Sequence, residues 1–370
     1  MSEFVTLFLC GDIMPGRGID QILGHPGDPR LYERYLTSAL QYVELAEQLN
    51  GPIRRPVDDA YVWGAALGEL ERRHPAVRIA NLETAVTASD MPQPKGINYR
   101  MSPGNIGCLM AAGLDCCSVA NNHVMDWGEA GLMETLRTLE AAGIRAIGAG
   151  ADRRAAQAPA LLPLRNGGRV LVFAFAHRSS GVPASWMATS SRAGVNLLED
   201  LSEETAREIG KETGSAERPN DIIVASIHWG TNWGYDVAAQ HQAFARLLVD
   251  LAGVDIVHGH SSHHAKPFEI YRNKLILYGC GDFLNDYEGI RGYEEFRGDL
   301  SLMYLPRIDM ATGDLAELEM IAFQMRKFRL DLALSDDARW LCDVLNREGR
   351  PFSTTVALGP DGQLVLRKCQ

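Results

Sequence analysis

The chain has 370 residues, enough for one large domain or two domains of ordinary size. Hydrophobic residues make up 46% of the chain and charged residues 22%, as in globular proteins with a substantial core. The formal net charge of −11 argues against a general nucleic-acid-binding surface, because such surfaces carry clustered positive charge. We therefore expect a folded protein with no general affinity for nucleic acid.

The amino-terminal apolar run Val5–Cys10 is too short for the hydrophobic region of a signal peptide, and no basic stretch precedes it. No stretch of the sequence approaches the roughly 20 apolar residues that a membrane-spanning helix needs. The seven cysteines include no Cys-x-x-Cys pair, which is typical of reduced and mostly buried thiols. We expect a cytoplasmic protein with no membrane partner.

Short apolar runs alternate along the chain with helical patterns. The runs predicted as strands are, in order, Phe4–Cys10, Arg78–Ala80, Cys116–Ala120, Arg169–Ala176, Ile222–His228, Ile256–His258 and Lys274–Tyr278. Glu129–Ala142 and Ala238–Leu251 carry apolar residues at helical spacing, and a glycine follows each of them closely. This alternation predicts a layered α/β fold with buried strands.

Two ranges, 20–75 and 184–219, depart from the alternation and are predicted to be excursions that cover the functional site. After Gly298 the pattern becomes strand-like, and it becomes helical at Asp336–Asn346. The sequence shows no internal repeat, no low-complexity linker and no clear domain boundary. We therefore predict a single domain over residues 1–370.

Five of the predicted strand ends are followed by polar residues of the types that bind metals or transfer protons. These segments are Gly11–Arg17, Asn81–Thr84, Asn121–Asp126, His228–Gly230, and His258–His264 with Gly279–Phe283 behind it. Six of the ten histidines lie in three of the segments. Because loops after the strands of an open α/β sheet converge on one crevice, the five segments can meet in space.

The combined residue types, which are carboxylates, an asparagine and histidines, form a set of oxygen and nitrogen ligands. Such a set suits manganese, iron, zinc, magnesium or calcium, and the sequence does not distinguish among them. Each signal alone has an ordinary explanation, since a single Asp after a strand is usually a turn or a helix cap. Five signals in one crevice favour a site for one or two divalent metal ions.

These successive motifs resemble those of the CapA family, the poly-γ-glutamate capsule synthesis proteins with a calcineurin-like metallophosphatase fold. The similarity runs from Gly11 to Phe283 and follows Gly-Asp-Ile-Met-Pro-Gly-Arg, Asn-Leu-Glu, Ala-Asn-Asn-His with a later Asp, His-Trp-Gly and Gly-His-Ser-Ser-His. The resemblance implies an α/β fold arranged as a four-layer α/β/β/α sandwich, with the metal site at one end. It is specific for the fold and the site, and much weaker for the substrate.

The resemblance also implies a role for each matching residue. The implied metal ligands are Asp12, Glu83 in the bridging place, Asn122, His228 and His260, with His258 or His263 as a ligand of the other site. His123 would stand beside the metal as the acid/base residue. Arg17 would point at an anionic group of the substrate.

Two departures from the wider metallophosphatases concern the ligand set. Their first motif carries Asp-x-His, and Met14 stands here in the place of that histidine. Their bridging aspartate corresponds to Glu83. Loss of a histidine ligand predicts one tightly bound ion, or two ions of unequal affinity, and it puts a standard two-metal phosphodiester mechanism in doubt.

The main functional hypothesis is a metal-dependent peptide epimerase, an isomerase that converts an L to a D centre at or near the carboxyl terminus of a ribosomal, lasso-type precursor peptide. The hypothesis rests on similarity, because soluble proteins of the CapA type act as peptide epimerases in natural-product biosynthesis. Inversion at Cα requires removal of a proton on one face and return of a proton on the other. His123 and one of Asp126, His263, His264 or Asp282 would supply these two groups.

Aromatic residues in or beside the motifs, among them Trp229 and Trp233, could line the pocket for a peptide substrate, and Arg17 could pair with its carboxylate. The alternative hypotheses are hydrolysis of a phosphoester and poly-γ-glutamate synthesis or processing. A metal-stabilised binding protein without turnover belongs to a different class and would form no product. Entry of deuterium at Cα from heavy water would separate an epimerase from a phosphatase.

Overall fold

The structure is a computed structural model that describes residues 3–165 and 167–367. Its strands, labelled in chain order, are β1 Phe4–Ile13, β2 Val77–Leu82, β3 Ala85–Val86, β4 Arg100–Met101, β5 Cys116–Ser118, β6 Arg145–Ile147, β7 Ala149–Gly150, β8 Ala160–Pro163, β9 Arg169–His177, β10 Gly194–Val195, β11 Leu197–Leu198, β12 Ile222–His228, β13 Ile256–His260, β14 Phe268–Tyr271, β15 Lys274–Leu277, β16 Asp282–Leu284, β17 Leu300–Asp309, β18 Leu315–Arg326, β19 Arg329–Leu332, β20 Val356–Leu358 and β21 Leu364–Leu366. Its α-helices are α1 Arg17–Asp20, α2 Leu40–Asn50, α3 Ala65–Arg73, α4 Gly107–Ala111, α5 Gly128–Ala141, α6 Arg153–Gln157, α7 Glu203–Ala216, α8 Ala239–Ala252 and α9 Ser335–Glu348.

Two mixed sheets form the centre of the molecule. The first has the strand order β20-β21-β18-β17-β1-β2-β5-β6, with β16 paired to the end of β1 and β19 paired to β18. The second has the order β11-β9-β12-β13-β15-β14, with β8 paired to β9. Strands β1, β2, β5 and β6 run parallel to one another, as do β9, β12, β13 and β15, so the carboxyl ends of each set lie at one edge of their sheet.

Alternate residues of the central strands point to opposite faces, and both faces are buried. In β9, Val170 and Val172 join a large apolar cluster that also contains Leu7 and Leu9 of β1, so the two sheets pack face to face. Leu171 joins a second cluster with α7 and α8, which covers the outer face of the second sheet. Helices α3, α4 and α5 add apolar side chains to the first cluster. The predicted four-layer α/β/β/α sandwich is confirmed.

The observed elements overlap every predicted strand and helix, with shifts of a few residues at the ends. The range 184–219 contains β10, β11 and α7, and α7 packs against α8 as a regular outer helix. The range 20–75 contains α2 and α3. Only part of each predicted excursion is therefore irregular. The single domain over 1–370 stays a prediction, and the apolar cluster shared by both sheets is what such a domain requires.

The cysteines in the described part of the chain are free and buried, as predicted for reduced thiols, and Cys369 lies outside the described residues. Burial raises the pKa of the Cys10 and Cys280 thiols well above the ordinary value, so both stay protonated. Over residues 3–165 and 167–367, no helix combines the length and the apolarity needed to cross a membrane.

Glycines permit close approaches of the backbone near the ends of β1 and β13, where Gly11 lies against the segment before β16 and Gly259 lies against β15. A Cβ atom added to Gly11 would lie 1.9 Å from the carbonyl oxygen of Gly281. A Cβ atom added to Gly259 would lie 2.5 Å from the carbonyl oxygen of Leu277. Because no real Cβ atom tolerates such contacts, larger residues at these two positions would force the backbones apart.

Candidate metal centre

The first group of candidate ligands consists of Asp12, His228 and His260, at the ends of β1, β12 and β13. One ligand atom of each lies within 4.8 Å of the others, and all three residues are buried. Asn81 donates a hydrogen bond to Oδ1 of Asp12 at 2.7 Å, and the backbone N–H of Ser261 donates to Oδ2 at 3.1 Å. Ser261 has a φ of 104°, a strained conformation that aims its N–H at the carboxylate. The protein therefore holds Asp12 in one orientation.

A chain of hydrogen bonds behind the site determines which nitrogen of His260 is unprotonated. Nε2 of His258 lies 2.8 Å from the carbonyl oxygen of Cys10, so it carries the hydrogen of this neutral ring, whose pKa burial lowers to about 4. Nδ1 of His258 then accepts from the Ser226 hydroxyl at 3.1 Å, and Ser226 Oγ accepts from Nε2 of His260 at 2.9 Å. Nδ1 of His260 keeps its lone pair on the side of Asp12, and this is the form that binds a metal.

His228 lies between two hydrogen-bond acceptors. Its Nδ1 is 2.9 Å from the unprotonated Nδ1 of His260, and its Nε2 is 2.8 Å from Oδ1 of Asn122. Burial lowers the pKa of His228 well below the ordinary value, so the ring is neutral and carries one hydrogen. One of the two contacts therefore has no hydrogen, and a divalent ion beside the unprotonated nitrogen would remove this conflict. The donor set fits a metal ion.

Three buried carboxyl groups, those of Asp12, Glu83 and Asp282, point to the same conclusion. Burial, followed by the charge of Asp282, raises the pKa of Asp12 to about 7. Burial, followed by the charge of Asp12, raises the pKa of Glu83 well above its ordinary value. Within the described residues, Oε2 of Glu83 is a buried oxygen without a hydrogen-bond partner. Among the residues that the structure describes, none of the three forms an ion pair with a lysine or an arginine, and such buried carboxylates fit the coordination of a divalent cation.

A second group of candidate ligands shares Asp12 with the first and adds His263 and Asp282, again with ligand atoms within 4.8 Å of one another. Nδ1 of His263 lies 2.9 Å from Oδ1 of Asp282, and Nε2 lies 3.0 Å from the side-chain nitrogen of Asn232. Asn285 donates to Oδ2 of Asp282 at 3.0 Å. His263 and Asp282 were both predicted among the acid/base residues, and His263 was also predicted, as the alternative to His258, to be a ligand of the other site. Their geometry makes them candidate ligands of a second metal position.

The other predicted ligands, His258, Glu83 and Asn122, lie in different positions relative to the two ligand groups. Both ring nitrogens of His258 are engaged, one with the backbone of β1 and one with a serine hydroxyl, so the prediction that His258 binds metal is wrong. Oε1 of Glu83 lies 3.8 Å from Nε2 of His228, beside the first group, and Asp12 is the residue that both groups share. Asn122 lies against His228 and stays a candidate ligand.

His123 lies beside the ligand groups with one nitrogen turned toward them. Its Nδ1 is 2.6 Å from Oδ2 of Asp126, and its Nε2 is 3.7 Å from Oε1 of Glu83. Oδ1 of Asn121 accepts from the backbone N–H groups of His123 and Val124, which closes a tight turn after β5. Burial, the largest cause, lowers the pKa of His123 to about 4. The neutral ring donates from Nδ1 to Asp126, so Nε2 is a free base that faces the site.

Asp126 orients His123 and is not a second proton-transfer group. In addition to His123, its carboxylate accepts from Nζ of Lys95 at 2.7 Å and from the backbone N–H of Tyr99 at 2.6 Å. A carboxylate with three donors holds its imidazole partner and stabilises the protonated ring. Sequence analysis missed Lys95 because it lies in the loop between β3 and β4, where no motif marks it.

The predicted contact of Arg17 with an anionic substrate group is wrong. The Arg17 side chain is only 3% exposed, and its guanidinium donates to the Asp286 carboxylate, to Glu33 at 2.9 Å and to the Tyr42 hydroxyl at 2.9 Å. Protein groups thus accept from four of its five N–H donors. Asp286 and Glu33 reach Arg17 from distant parts of the chain, and their sequence positions give no sign of this pairing.

The two tryptophans predicted to bind substrate have different environments. Trp229 is 3% exposed, donates from its indole N–H to the carbonyl oxygen of Tyr278 at 3.0 Å and stacks on His241, so it is a core residue and its predicted role is wrong. Trp233 stacks on Tyr293 with ring centroids 4.2 Å apart and helps to line a cleft of about 400 Å³. Trp233 therefore stays a candidate substrate-binding residue.

The chain is similar to known proteins over most of its length. A family profile described as bacterial capsule synthesis protein PGA_cap matches residues 6–287. The probable polyglutamine synthesis accessory protein of Mycobacterium tuberculosis strain H37Rv is 46% identical over 366 residues, which cover 98% of this chain and 96% of the relative. Capsule biosynthesis protein CapA of Bacillus anthracis is 25% identical over 286 residues, which cover 77% of this chain and 61% of the relative. A solved phosphatase structure from Mycoplasma pneumoniae gives a TM-score of 0.47 with 10% identity, over 87% of this chain and 94% of that one.

The fold and the two ligand groups define an α/β sandwich with a buried centre of carboxylates and imidazoles. The profile match and the similarity to the mycobacterial relative, which extends over almost the whole chain, identify the family. The chain belongs to the bacterial capsule synthesis family, CapA, and the resemblance drawn from the motifs is confirmed.

Proposed function

We propose that this protein is a metal-dependent enzyme of poly-γ-glutamate synthesis or processing, which cleaves γ-glutamyl amide bonds by acid/base chemistry. The observation that carries the proposal is the position of His123. Its unprotonated Nε2 lies 3.7 Å from Oε1 of Glu83, beside the candidate ligands. The names of the relatives refer to polyglutamine synthesis and capsule biosynthesis, which supports a polymer of glutamine or glutamate units as the class of substrate. They favour this alternative over the main sequence-based hypothesis, epimerisation of a lasso-type peptide.

The chain's own residues can perform each step of such a cleavage. Asp12, His228 and His260 would hold a divalent ion, and a bound ion of this kind polarises a carbonyl oxygen of the substrate. Nε2 of His123 takes a proton from the attacking water, whose oxygen forms a bond to the carbonyl carbon. His123 then returns the proton to the amine nitrogen as the carbon–nitrogen bond breaks. Asp126 stabilises the positively charged ring between the two transfers.

Epimerisation at Cα and phosphoester hydrolysis remain competing hypotheses. Epimerisation needs a second proton-transfer group on the face opposite His123. Asp126 is committed to orienting His123, while His263 and Asp282 bond to each other within the second ligand group. His264, whose Nε2 has no hydrogen-bond partner within the described residues, is the remaining candidate for such a group. Phosphoester hydrolysis would use His123 to protonate the leaving oxygen, so product analysis must distinguish it.

The proposal is tested with protein loaded with manganese and a hexamer of γ-linked glutamate. One incubation contains water labelled with oxygen-18, a second contains heavy water, and a third offers a phosphoester instead of the hexamer. We expect shorter oligomers with one labelled oxygen at each new carboxylate, and we expect this activity to disappear in His123→Gln. The exposed His74→Gln provides the matched control. Deuterium at Cα without cleavage would establish the epimerase instead, and phosphate release without cleavage would establish the phosphatase.

A further inference from the structure

Two tyrosine hydroxyl groups meet beside the candidate metal centre. The hydroxyl oxygens of Tyr99 and Tyr287 lie 2.9 Å apart. The Tyr99 ring packs edge-on against His123 with centroids 4.3 Å apart, and the Tyr287 ring packs edge-on against His263 with centroids 5.3 Å apart. The hydroxyl pair therefore spans the space between the proposed base and the second ligand group.

This pair has more hydrogens than strong acceptors. Two phenols carry two hydroxyl hydrogens, and the contact between their oxygens uses one. In the described parts of the chain, the only further acceptor for the pair is the thioether of Met14, whose sulfur lies 3.7 Å from the Tyr287 oxygen. A thioether is a weak acceptor, so whichever phenol donates to the other, one hydroxyl hydrogen has no oxygen or nitrogen partner. A substrate oxygen would provide one.

The surrounding residues hold the pair in position. The Asp126 carboxylate accepts from the Tyr99 backbone N–H at 2.6 Å, and the Trp127 indole donates to the Tyr99 carbonyl at 3.0 Å. The guanidinium carbon of Arg17 lies 4.3 Å from the centroid of the Tyr99 ring and 5.8 Å from that of Tyr287. The paired Arg17 guanidinium therefore packs on the two rings and helps to fix their positions.

A cleft is lined in part by Tyr287 of this pair. It has a volume of about 400 Å³, and its lining includes Tyr287, Asn285, Trp233 and Tyr293. Asn285 donates to the Asp282 carboxylate of the second ligand group at 3.0 Å. An extended substrate in this cleft would meet Tyr287 next to the candidate ligands.

We propose that the Tyr99–Tyr287 pair donates a hydrogen bond to the substrate oxygen at the reacting centre and stabilises the negative charge that develops there. A preorganised donor of this kind, in a site sheltered from water, is a large contributor to catalysis. Met14 supports this role, because it offers the pair only a weak competing acceptor. The inference rests on the proposed function for the identity of the substrate, and on the hydrogen count and the cleft for the donor.

The test compares Tyr287→Phe and Tyr99→Phe with wild-type protein, all loaded with manganese. The matched control is Tyr271→Phe, which loses a hydroxyl that bonds to Asp250 in another part of the molecule. Calorimetry gives the affinity for tri-γ-glutamate and, separately, for inorganic phosphate, while turnover of the γ-linked hexamer gives kcat and KM. We expect both site variants to bind the oxygen ligand about tenfold or more weakly and to lose kcat, with metal content and Tm like those of the control.

Failure of this inference is distinguishable from failure of the proposed function. Wild-type affinity and kcat in both site variants would overturn the donor role even if the hexamer is cleaved. If wild-type protein binds phosphate but not tri-γ-glutamate, the proposed substrate is wrong. The donor role is then decided by whether the two site variants bind phosphate more weakly than wild-type protein does. If wild-type protein binds neither probe, the donor role is overturned together with the proposed substrate.

Discussion

Nδ1 of His123 lies 2.6 Å from Oδ2 of Asp126, and this contact decides which nitrogen of the imidazole faces the metal centre. Since the carboxylate accepts the hydrogen on Nδ1, the lone pair is on Nε2, which points toward Glu83. The sheltered Asp126 also accepts from Lys95, so both of its oxygens have donors. Much of the proposed chemistry depends on this one pair.

Replacement of Asp126 by Asn should lower turnover of γ-linked glutamate by about 10²-fold or more, because an amide can no longer select the tautomer or stabilise the protonated ring. The metal content should stay unchanged, since Asp126 belongs to neither ligand group. Steady-state kinetics and elemental analysis of the same preparations provide the measurement. Asp343→Asn, on the exposed face of α9, is the control. Full activity in Asp126→Asn would remove the orienting role.

Metal stoichiometry should depend on which ligand is removed. Asp12 belongs to both ligand groups, so Asp12→Ala should lose all bound metal. His228→Ala should lose the first position, and Asp282→Ala should lose only the second, so a variant at either residue keeps at most one ion. Elemental analysis after dialysis against manganese and then metal-free buffer gives the counts. Equal metal content in Asp12→Ala and wild-type protein would contradict the shared position.

The affinity for metal should fall as the pH is lowered through about 7. The pKa of Asp12 is raised to about 7, chiefly by burial, and the group must lose its proton before it can bind an ion. The apparent affinity should therefore decrease by up to about tenfold for each pH unit below this value. Competition with a chelator between pH 5.5 and 8.5 is the measurement. A flat profile across this range would contradict the assignment of Asp12.

The same raised pKa of Asp12 predicts that the metal-free protein becomes less stable as the pH rises, whereas metal binding becomes stronger. The folded-state pKa of Asp12 lies above the ordinary value of 3.8, so the folded protein binds this proton more tightly than the unfolded chain does. The contribution of Asp12 to the free energy of unfolding therefore decreases as the pH rises from about 4 to about 7. Urea titrations of metal-free Asp12→Asn and wild-type protein should show this difference in pH dependence.

Ser226→Ala should weaken metal binding without removing a ligand. The Ser226 hydroxyl connects His258 to His260 and thereby leaves Nδ1 of His260 free for the ion. Loss of such an outer hydrogen bond typically reduces metal affinity by about 10–100-fold. Chelator competition measures the change. Ser301→Ala removes another buried hydroxyl, one that donates to the carbonyl oxygen of Phe283, and should leave the affinity unchanged.

Arg17→Met should destabilise the fold by about 3–5 kcal/mol, because it leaves two buried carboxylates without their cation. Those carboxylates belong to Asp286 and Glu33. Denaturant titration measures the free energy of unfolding, and a second variant with Asp286→Asn added should recover part of the loss. If Arg17→Met instead has a raised KM and wild-type stability, the result would support the substrate contact that the sequence predicts.

The sequence predicts that Asp12, His228 and His260 lie together, because residues at the carboxyl ends of parallel strands converge. It does not predict that β1 belongs to one sheet and β12 and β13 to the other, nor that β1 and β13 extend to Ile13 and His260. The sequence could not predict that other protein groups engage the guanidinium of Arg17 and both ring nitrogens of His258. Their partners, Asp286 and Ser226, are ordinary residues whose proximity arises only after the chain has folded. Sequence gives the chemical type of a side chain, while its available donors depend on tertiary packing.

His258 Nε2 crosses from the second sheet to the first and bonds to the carbonyl of Cys10 at 2.8 Å. The candidate ligands are likewise divided, with Asp12 on the first sheet and His228 and His260 on the second. A metal ion bound by all three residues would therefore link the two sheets, and its binding would depend on how the sheets are aligned. A bulky residue at Gly259 would push β13 away from the neighbouring strand β15 and displace His260, and it would thereby impair metal binding.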